Sequence, residues 1–294
     1  MQDLIVPIVT SFTKDNKVDK AKMKELGKEL IERGINALFV NGTTGVGPTL
    51  SAEEKKQTLE ASYDVTNKIL FQVGGLNFDE VKSLVLFSKD FDIIGVVAYP
   101  PYYFPKFPEK WVIRYYKEIL EISPHPVYVY NYPEATHFDV SAAVLKKISD
   151  SGVAGIKDTH SELSHTLQYK ITFPSMKVYN GKESLVVPTL ASGLDGTVAA
   201  LGNYAPELLV KARDLVSKGR IKEALEVQAL INDFSGLLSR YGTFAAIYPA
   251  IKEMLGVDAG YPRPPMFPLS EDEEKAFLNE LRVLKSKMTE ILNK

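Results

Sequence analysis

A lysine closes the segment Val153-Ala154-Gly155-Ile156-Lys157, and nothing else in that segment is polar. Strands of this kind, apolar on both faces, belong to parallel sheets covered by helices. A lysine at the C-terminal end of such a strand points to the place where parallel α/β folds keep their ligands. An amine there loses part of its hydration, and desolvation disfavours the ammonium form. The neutral amine is a nucleophile for a carbonyl carbon. The plain alternative is a lysine whose stem lies on apolar surface while its head reaches water. The residues at the other strand ends decide between the two.

Gly42-Thr43-Thr44-Gly45 follows the apolar run that begins at Ala37. Two hydroxyls and several backbone N–H groups at a strand-to-helix turn make a cradle for a small anion such as a carboxylate. A polar turn that only caps the next helix is the other reading. The turn is not a nucleotide loop: GTTGVG is not GxGxxG, and no GxxxxGK[ST] occurs. Tyr130 stands 27 residues before Lys157, at the end of another apolar run. A phenol beside a substrate oxygen acts as general acid or base, whereas a tyrosine on a core strand is by default packing. Their combination argues for chemistry: a nucleophile, a proton shuttle and an anion cradle facing one pocket. The remaining strand-end candidates are Tyr99, Tyr102, Tyr103 and Lys106, then Asn131 and Tyr132, Asp158 and Thr159, Gly181, Lys182 and Glu183, and Ala199 and Ala200.

These residues need elements to hold them. Strands are expected at Leu4–Thr10, Ala37–Asn41, Ile69–Gly74, Ile93–Ala98, Pro126–Asn131, Val153–Lys157, Lys177–Asn180 and Asp195–Ala200. Helical spacing is expected over Asp19–Arg33, from Ser51 with its capping box to Glu54, and over Phe78–Lys89, Glu109–Glu121, Val140–Asp150, Leu185–Ala191 and Pro206–Lys218. Between Lys157 and Lys177 no helix boundaries are assigned. The alternation argues for a (β/α)8 barrel ahead of an open doubly wound sheet. Arg220–Leu238, Thr243–Leu255 and Ser270–Asn293 then read as three helices without strands, the last two joined through the rigid GYPRPP. The expected organisation is an α/β TIM barrel over residues 1–218 with a three-helix extension over 219–294 packed on it.

The chain has 294 residues and a formal charge of −2, with 24% charged and 45% hydrophobic residues, an ordinary globular composition. That balance gives no electrostatic footprint for nucleic acid and no basic run for an anionic membrane. Cysteine is absent, which excludes disulfides, thiolate catalysis and cysteine-ligated zinc. Of the four histidines, His160 and His165 lie five apart without an HExxH pattern, so no metal is expected. MQDLIVPIVTSF lacks the basic start and longer apolar core of a signal peptide, and no apolar stretch approaches the ~20 residues of a membrane span. A cytoplasmic protein is expected.

At these residues the chain resembles a known family, the lysine-dependent pyruvate aldolases that include dihydrodipicolinate synthase and N-acetylneuraminate lyase. The resemblance runs over residues 1–294 and rests jointly on GTTG at Gly42–Gly45, PYY at Pro101–Tyr103, YNYP at Tyr130–Pro133, GIKDT at Gly155–Thr159 and the Tyr130-to-Lys157 interval. Within the family, FVNGTTGVGP, FQVGGLN, PYYFP, YNYPEAT and GYPRPPMFPL are most similar to the archaeal 2-keto-3-deoxygluconate aldolases. The resemblance implies a Schiff base between Lys157 and the keto carbon, with no other cofactor. It implies proton movement by Tyr130, a hydroxyl relay through Thr43 to Tyr103, and carboxylate binding at Thr44. It also implies that Tyr103 reaches in from a neighbouring subunit of a homotetramer, a dimer of dimers. Gly42, Tyr132, Thr159, Gly181 and Ala200 are expected around the substrate, and Lys106, Arg240 and Thr243 near a 6-phosphate.

Departures from the family pattern narrow the reaction. Val46 stands where the synthases usually carry Glu, and Ala135 where they usually carry an arginine. Without that guanidinium a second carboxylate lacks its bidentate partner, so the synthase is a lesser expectation, alongside an N-acetylneuraminate lyase-like pyruvate aldolase. His137 stands where Gly is common, and Lys182-Glu183 where related aldolases have Ser-Asp. The expected reaction is reversible cleavage of 2-keto-3-deoxygluconate, its 6-phosphate or its galactonate epimer to pyruvate and glyceraldehyde or glyceraldehyde 3-phosphate. A non-catalytic keto-acid sensor is the reading from another class; it needs neither Lys157 nor Tyr130.

Overall fold

The structure is a computed structural model that describes residues 1–149 and 152–293. Asp150, the expected end of one helix, and Lys294 lie outside the described residues. Parallel strands close into a barrel in chain order: β1 (Asp3–Pro7), β2 (Ala37–Val40), β3 (Ile69–Gln72), β4 (Gly95–Ala98), β5 (Val127–Asn131), β6 (Val153–Asp158), β7 (Lys177–Asn180) and β8 (Gly196–Val198). Around it run α1 (Lys20–Glu32), α2 (Ala52–Tyr63), α3 (Phe78–Phe87), α4 (Glu109–Ile122), α5 (Pro133–Thr136), α6 (Ala142–Ser149), α7 (Leu163–Thr172), α8 (Val186–Ala191) and α9 (Pro206–Ser217). The chain continues as α10 (Ile221–Arg240), α11 (Thr243–Leu255) and α12 (Glu271–Leu292). The expected (β/α)8 barrel is therefore the fold.

Successive side chains of a strand point to opposite faces, and here both faces are covered. Ile5, Phe39, Leu70, Val97, Tyr128 and Tyr179 fill the barrel interior. Their neighbours Leu4, Val6, Leu38, Val40, Phe71, Val96 and Val178 pack outward against the helices. This is why the strands read as unbroken apolar runs. The expected strands ran too long: Ile8, Val9 and Val73 are buried but lie beyond β1 and β3. Apolarity marks burial, and these residues are buried just past the strand ends, where Ile8 N still donates to Phe39 O and Val73 N to Val97 O.

Two helices were not marked by the sequence. α5 is a single turn started by Pro133. α7 fully buries only Thr166 and Tyr169, with Leu163 and Leu167 partly buried against the core, so its inward face is mixed and its hydrophobic period is interrupted. The three last helices join the outer apolar cluster of the barrel; Phe234 of α10 meets Tyr204 at 6.0 Å between ring centroids. Arg263 of the proline-rich connector pairs with Glu54 of α2 and donates to the carbonyl oxygens of Asn16 and Thr49. Its guanidinium lies 4.3 Å from the centroid of Phe12. No helix among the described residues is long and apolar enough to cross a membrane.

Candidate active site

Strand pairing sets the centre of the site. Tyr130 on β5 is in register with Lys157 on β6, and Lys157 with Tyr179 on β7. Lys157 is 5% exposed. Its Nζ lies 3.8 Å from the ring centroid of Tyr130 and 4.7 Å from that of Phe39. Tyr130 is also buried. Its Oη is 3.1 Å from Thr43 Oγ1, its ring is edge-on to Phe39, and it stacks with Tyr132 at 6.0 Å. A phenol hydroxyl, a threonine hydroxyl and an amine thus gather at one end of the barrel.

Gly181 makes room for this. A Cβ there would stand 2.9 Å from Lys157 Cε and 2.4 Å from Thr159 Oγ1. Thr159 is buried, and among the described residues its hydroxyl has no hydrogen-bond partner, an orphaned polar atom beside the lysine stem. The Gly42–Gly45 turn is wound tightly: Gly47 N donates to Gly42 O and Val46 N to Thr43 O, both at 3.0 Å. Val46 sits at φ 49°, a left-handed conformation rare for a β-branched residue. The turn leaves Thr43 and Thr44 half-buried. Thr43, Tyr99, Tyr102, Tyr132 and Ala135 line a cavity at this end of the barrel. Burial, with the neighbouring Tyr130 and Glu134, pushes the Tyr132 phenol pKa up.

Other candidates stand elsewhere in the single chain. Tyr103 is 74% exposed in the loop after β4, at φ 75°, and Lys106 is exposed at φ 57°. Arg240 pairs with Glu280 of α12, and Thr243 opens α11; neither borders the cavity of Thr43 and Tyr132. Ala200 begins a turn beside Glu183, whose carboxylate accepts from Leu201 N at 2.5 Å and from Ser235 Oγ. Burial pushes the Glu183 carboxyl pKa up, against those hydrogen bonds. Lys182 pairs with Glu134 at 3.0 Å. His137 has φ 55° and caps α5, a left-handed position that accounts for Gly being common there. Asn131 and Asp158 point away from the barrel interior, toward α7: Asn131 Nδ2 donates to Asp158 Oδ1 at 2.9 Å. Parity along the strand would have shown this, since each follows an inward residue. Phe39, under the lysine amine, had no signal beyond apolarity.

The sequence profile of the Dihydrodipicolinate synthetase family matches residues 1–284. This chain belongs to that family. Aldolases of the dihydrodipicolinate synthetase family work through a lysine Schiff base. A relative from Sulfurisphaera tokodaii, named 2-dehydro-3-deoxy-phosphogluconate/2-dehydro-3-deoxy-6-phosphogalactonate aldolase, is 50% identical over 97% of this chain and 98% of its own. The Sulfolobus solfataricus 2-keto-3-deoxygluconate aldolase solved in complex with D-KDPG is 47% identical, covers 98% of each chain and superposes with a TM-score of 0.95. The KD(P)G aldolase of T. tenax is 35% identical, with a TM-score of 0.94 over 98% of this chain and 100% of its own. Among the described residues, no group of three or more His, Cys, Asp or Glu side chains could hold a metal ion.

Proposed function

We propose that this chain is a Schiff-base aldolase that reversibly cleaves 2-keto-3-deoxy-D-gluconate to pyruvate and D-glyceraldehyde. It also takes the 6-phosphate, giving glyceraldehyde 3-phosphate, and the galactonate epimer. The observation that carries this reading is the buried Lys157 amine, 3.8 Å from the ring of a tyrosine whose hydroxyl reaches Thr43. The names of the similar proteins support the substrate class.

The amine of Lys157 attacks C2 of the keto acid, and loss of water gives an iminium. That cation is the electron sink, the part a Lewis-acidic metal plays in the other class of aldolase. Tyr130 takes the C4 hydroxyl proton while the Thr43 hydroxyl holds its oxygen. The C3–C4 bond breaks, the aldehyde leaves, and the enamine accepts a proton at C3. Water then adds to the iminium and frees pyruvate and the lysine. Thr44 holds the carboxylate, with Gly42 letting the turn approach. Thr159, Gly181, Ala200 and Tyr132 face the sugar hydroxyls, and Lys106, Arg240 and Thr243 serve the distal phosphate.

The chain acts as a homotetramer, a dimer of dimers. A tyrosine 74% exposed in a left-handed conformation suits an arm that completes a neighbour's site, and Tyr103 would extend the Tyr130–Thr43 relay there. The synthase reading is disfavoured because Ala135 lines the cavity where a second carboxylate needs a guanidinium. Pyruvate release from 2-keto-3-deoxygluconate tests the proposal; product formation only from pyruvate with aspartate semialdehyde would favour the synthase.

A further inference from the structure

Behind the barrel wall, the residues that follow Tyr130 and Lys157 build a second arrangement. Asp158 has none of its side chain exposed and accepts from Asn131 Nδ2 at 2.9 Å and Thr166 Oγ1 at 2.7 Å. His165 of α7 stands between this carboxylate and another: Nδ1 is 3.0 Å from Asp158 Oδ2, and Nε2 is 3.2 Å from Asp139 Oδ2. Asn131 Nδ2 also donates to Asp139 Oδ1 at 2.9 Å. Asp139 ends the segment after β5 that supplies Tyr132 and Ala135 to the cavity. An imidazole with both nitrogens aimed at carboxylates donates twice only as imidazolium.

We propose that His165 is a positioning residue: by bridging Asp158 and Asp139 it ties the strand end that carries Lys157 to the segment that carries Tyr132. The inference rests on Lys157 being the Schiff-base lysine. The bridge fixes the amine against the cavity wall from outside the barrel, without touching substrate.

The groups facing the ring are Asp158 from β6, Asp139 from the segment after β5, His160 from the loop after β6, stacked at 4.1 Å, and Tyr169 of α7, edge-on at 5.3 Å. Among the described residues, no charged side chain of α6 or β7, the other elements against α7, makes an ion pair with it. The Asp158 hydrogen bond, opposed by burial and helped by both carboxylate charges, pushes the imidazole pKa up to about 9. A raised value means the bridge is complete below the ordinary ~6.5 and is lost as pH rises through the folded one.

Reductive trapping with pyruvate reads the placement of Lys157, and the KM for cleavage reads the cavity wall. His165→Gln is expected to slow trapping about tenfold near neutral pH and to raise KM, because small misplacements of reacting groups cost that much or more. The parent chain is expected to lose trapping as pH passes about 9, where the bridge is lost, and the variant to show no such loss. Asp139→Asn cuts one end of the bridge at a half-exposed site. It should raise KM, spare trapping near neutrality and lower the pKa of the His165 ring followed by NMR. If His165→Gln does not fold, Asp139→Asn decides alone. Variants that match the parent in trapping, KM and ring titration overturn this proposal; absence of any adduct in the parent overturns the reading of Lys157 and this proposal with it.

Discussion

Lys157 and Tyr130 are register partners on adjacent strands, with the amine 3.8 Å from the centroid of the phenol ring. Their separation is set by the sheet ladder and not by loops, and sites held on regular elements keep their geometry best. The amine is therefore held beside a tyrosine whose hydroxyl is already bonded to Thr43. Roles follow from that placement, and each is open to measurement.

Tyr130→Phe removes only the hydroxyl that meets Thr43 and leaves the ring beneath the amine. Pyruvate should still be trapped on Lys157, while turnover falls by roughly 10²–10⁴, the usual worth of general acid–base catalysis. Steady-state cleavage beside a trapping assay separates the two; near-normal turnover would remove Tyr130 from proton transfer.

Gly181→Ala places a methyl 2.9 Å from Lys157 Cε and 2.4 Å from Thr159 Oγ1. Both side chains must move, so trapping and turnover should fall together by about 10²-fold. The strand nearby is unchanged, and circular dichroism should match the parent. Equal activity in the two proteins would show that the lysine stem does not occupy this place when it works.

Arg263 and Glu54 pair at side chains only 13% and 23% exposed. Burial pushes the Glu54 carboxyl pKa up, but the hydrogen bonds from Arg263 and Ser51 outweigh it and hold it below its ordinary value. Arg263→Ala should cost roughly 2–3 kcal/mol, less than a fully buried pair would. A lowered folded pKa gives stability that is present above the ordinary ~4.3 and lost as pH falls through the folded value. Denaturant titrations of the parent should show that acid-side loss, and those of the variant a shallower one.

Much of this site was readable before any coordinates. Lys157, Tyr130 and Thr43 stand at ends of apolar runs, and the barrel brings such ends to one face; they do meet. Side-chain parity was the missed step, for it turns Asn131 and Asp158 outward and makes them a brace. α7 was invisible for a related reason: its fully buried residues are Thr166 and Tyr169, which serve that brace and interrupt the short apolar stripe of Leu163 and Leu167. Tyr103 and Lys106 were read off the end of the fourth strand, and Arg240 and Thr243 as a cation and a hydroxyl suited to a 6-phosphate. Among the described residues no hydrogen bond or ion pair joins them to Lys157.

Arg240 tests the distal end of the substrate. Its guanidinium pairs with Glu280 at a site where its side chain is 59% exposed, so it can exchange that partner for a phosphate. Arg240→Ala should raise the KM for the 6-phosphate about tenfold, the worth of one charge-assisted contact, and leave the unphosphorylated substrate within twofold. Equal loss on both substrates would mean a structural role for the α10–α12 pair.

The most direct measurement is reduction of the protein by borohydride in the presence of pyruvate, followed by peptide mass spectrometry. One pyruvyl adduct is expected, on the peptide that carries Lys157, and it should vanish in Lys157→Arg. An adduct on a different lysine, or none in active protein, would contradict the account at its centre.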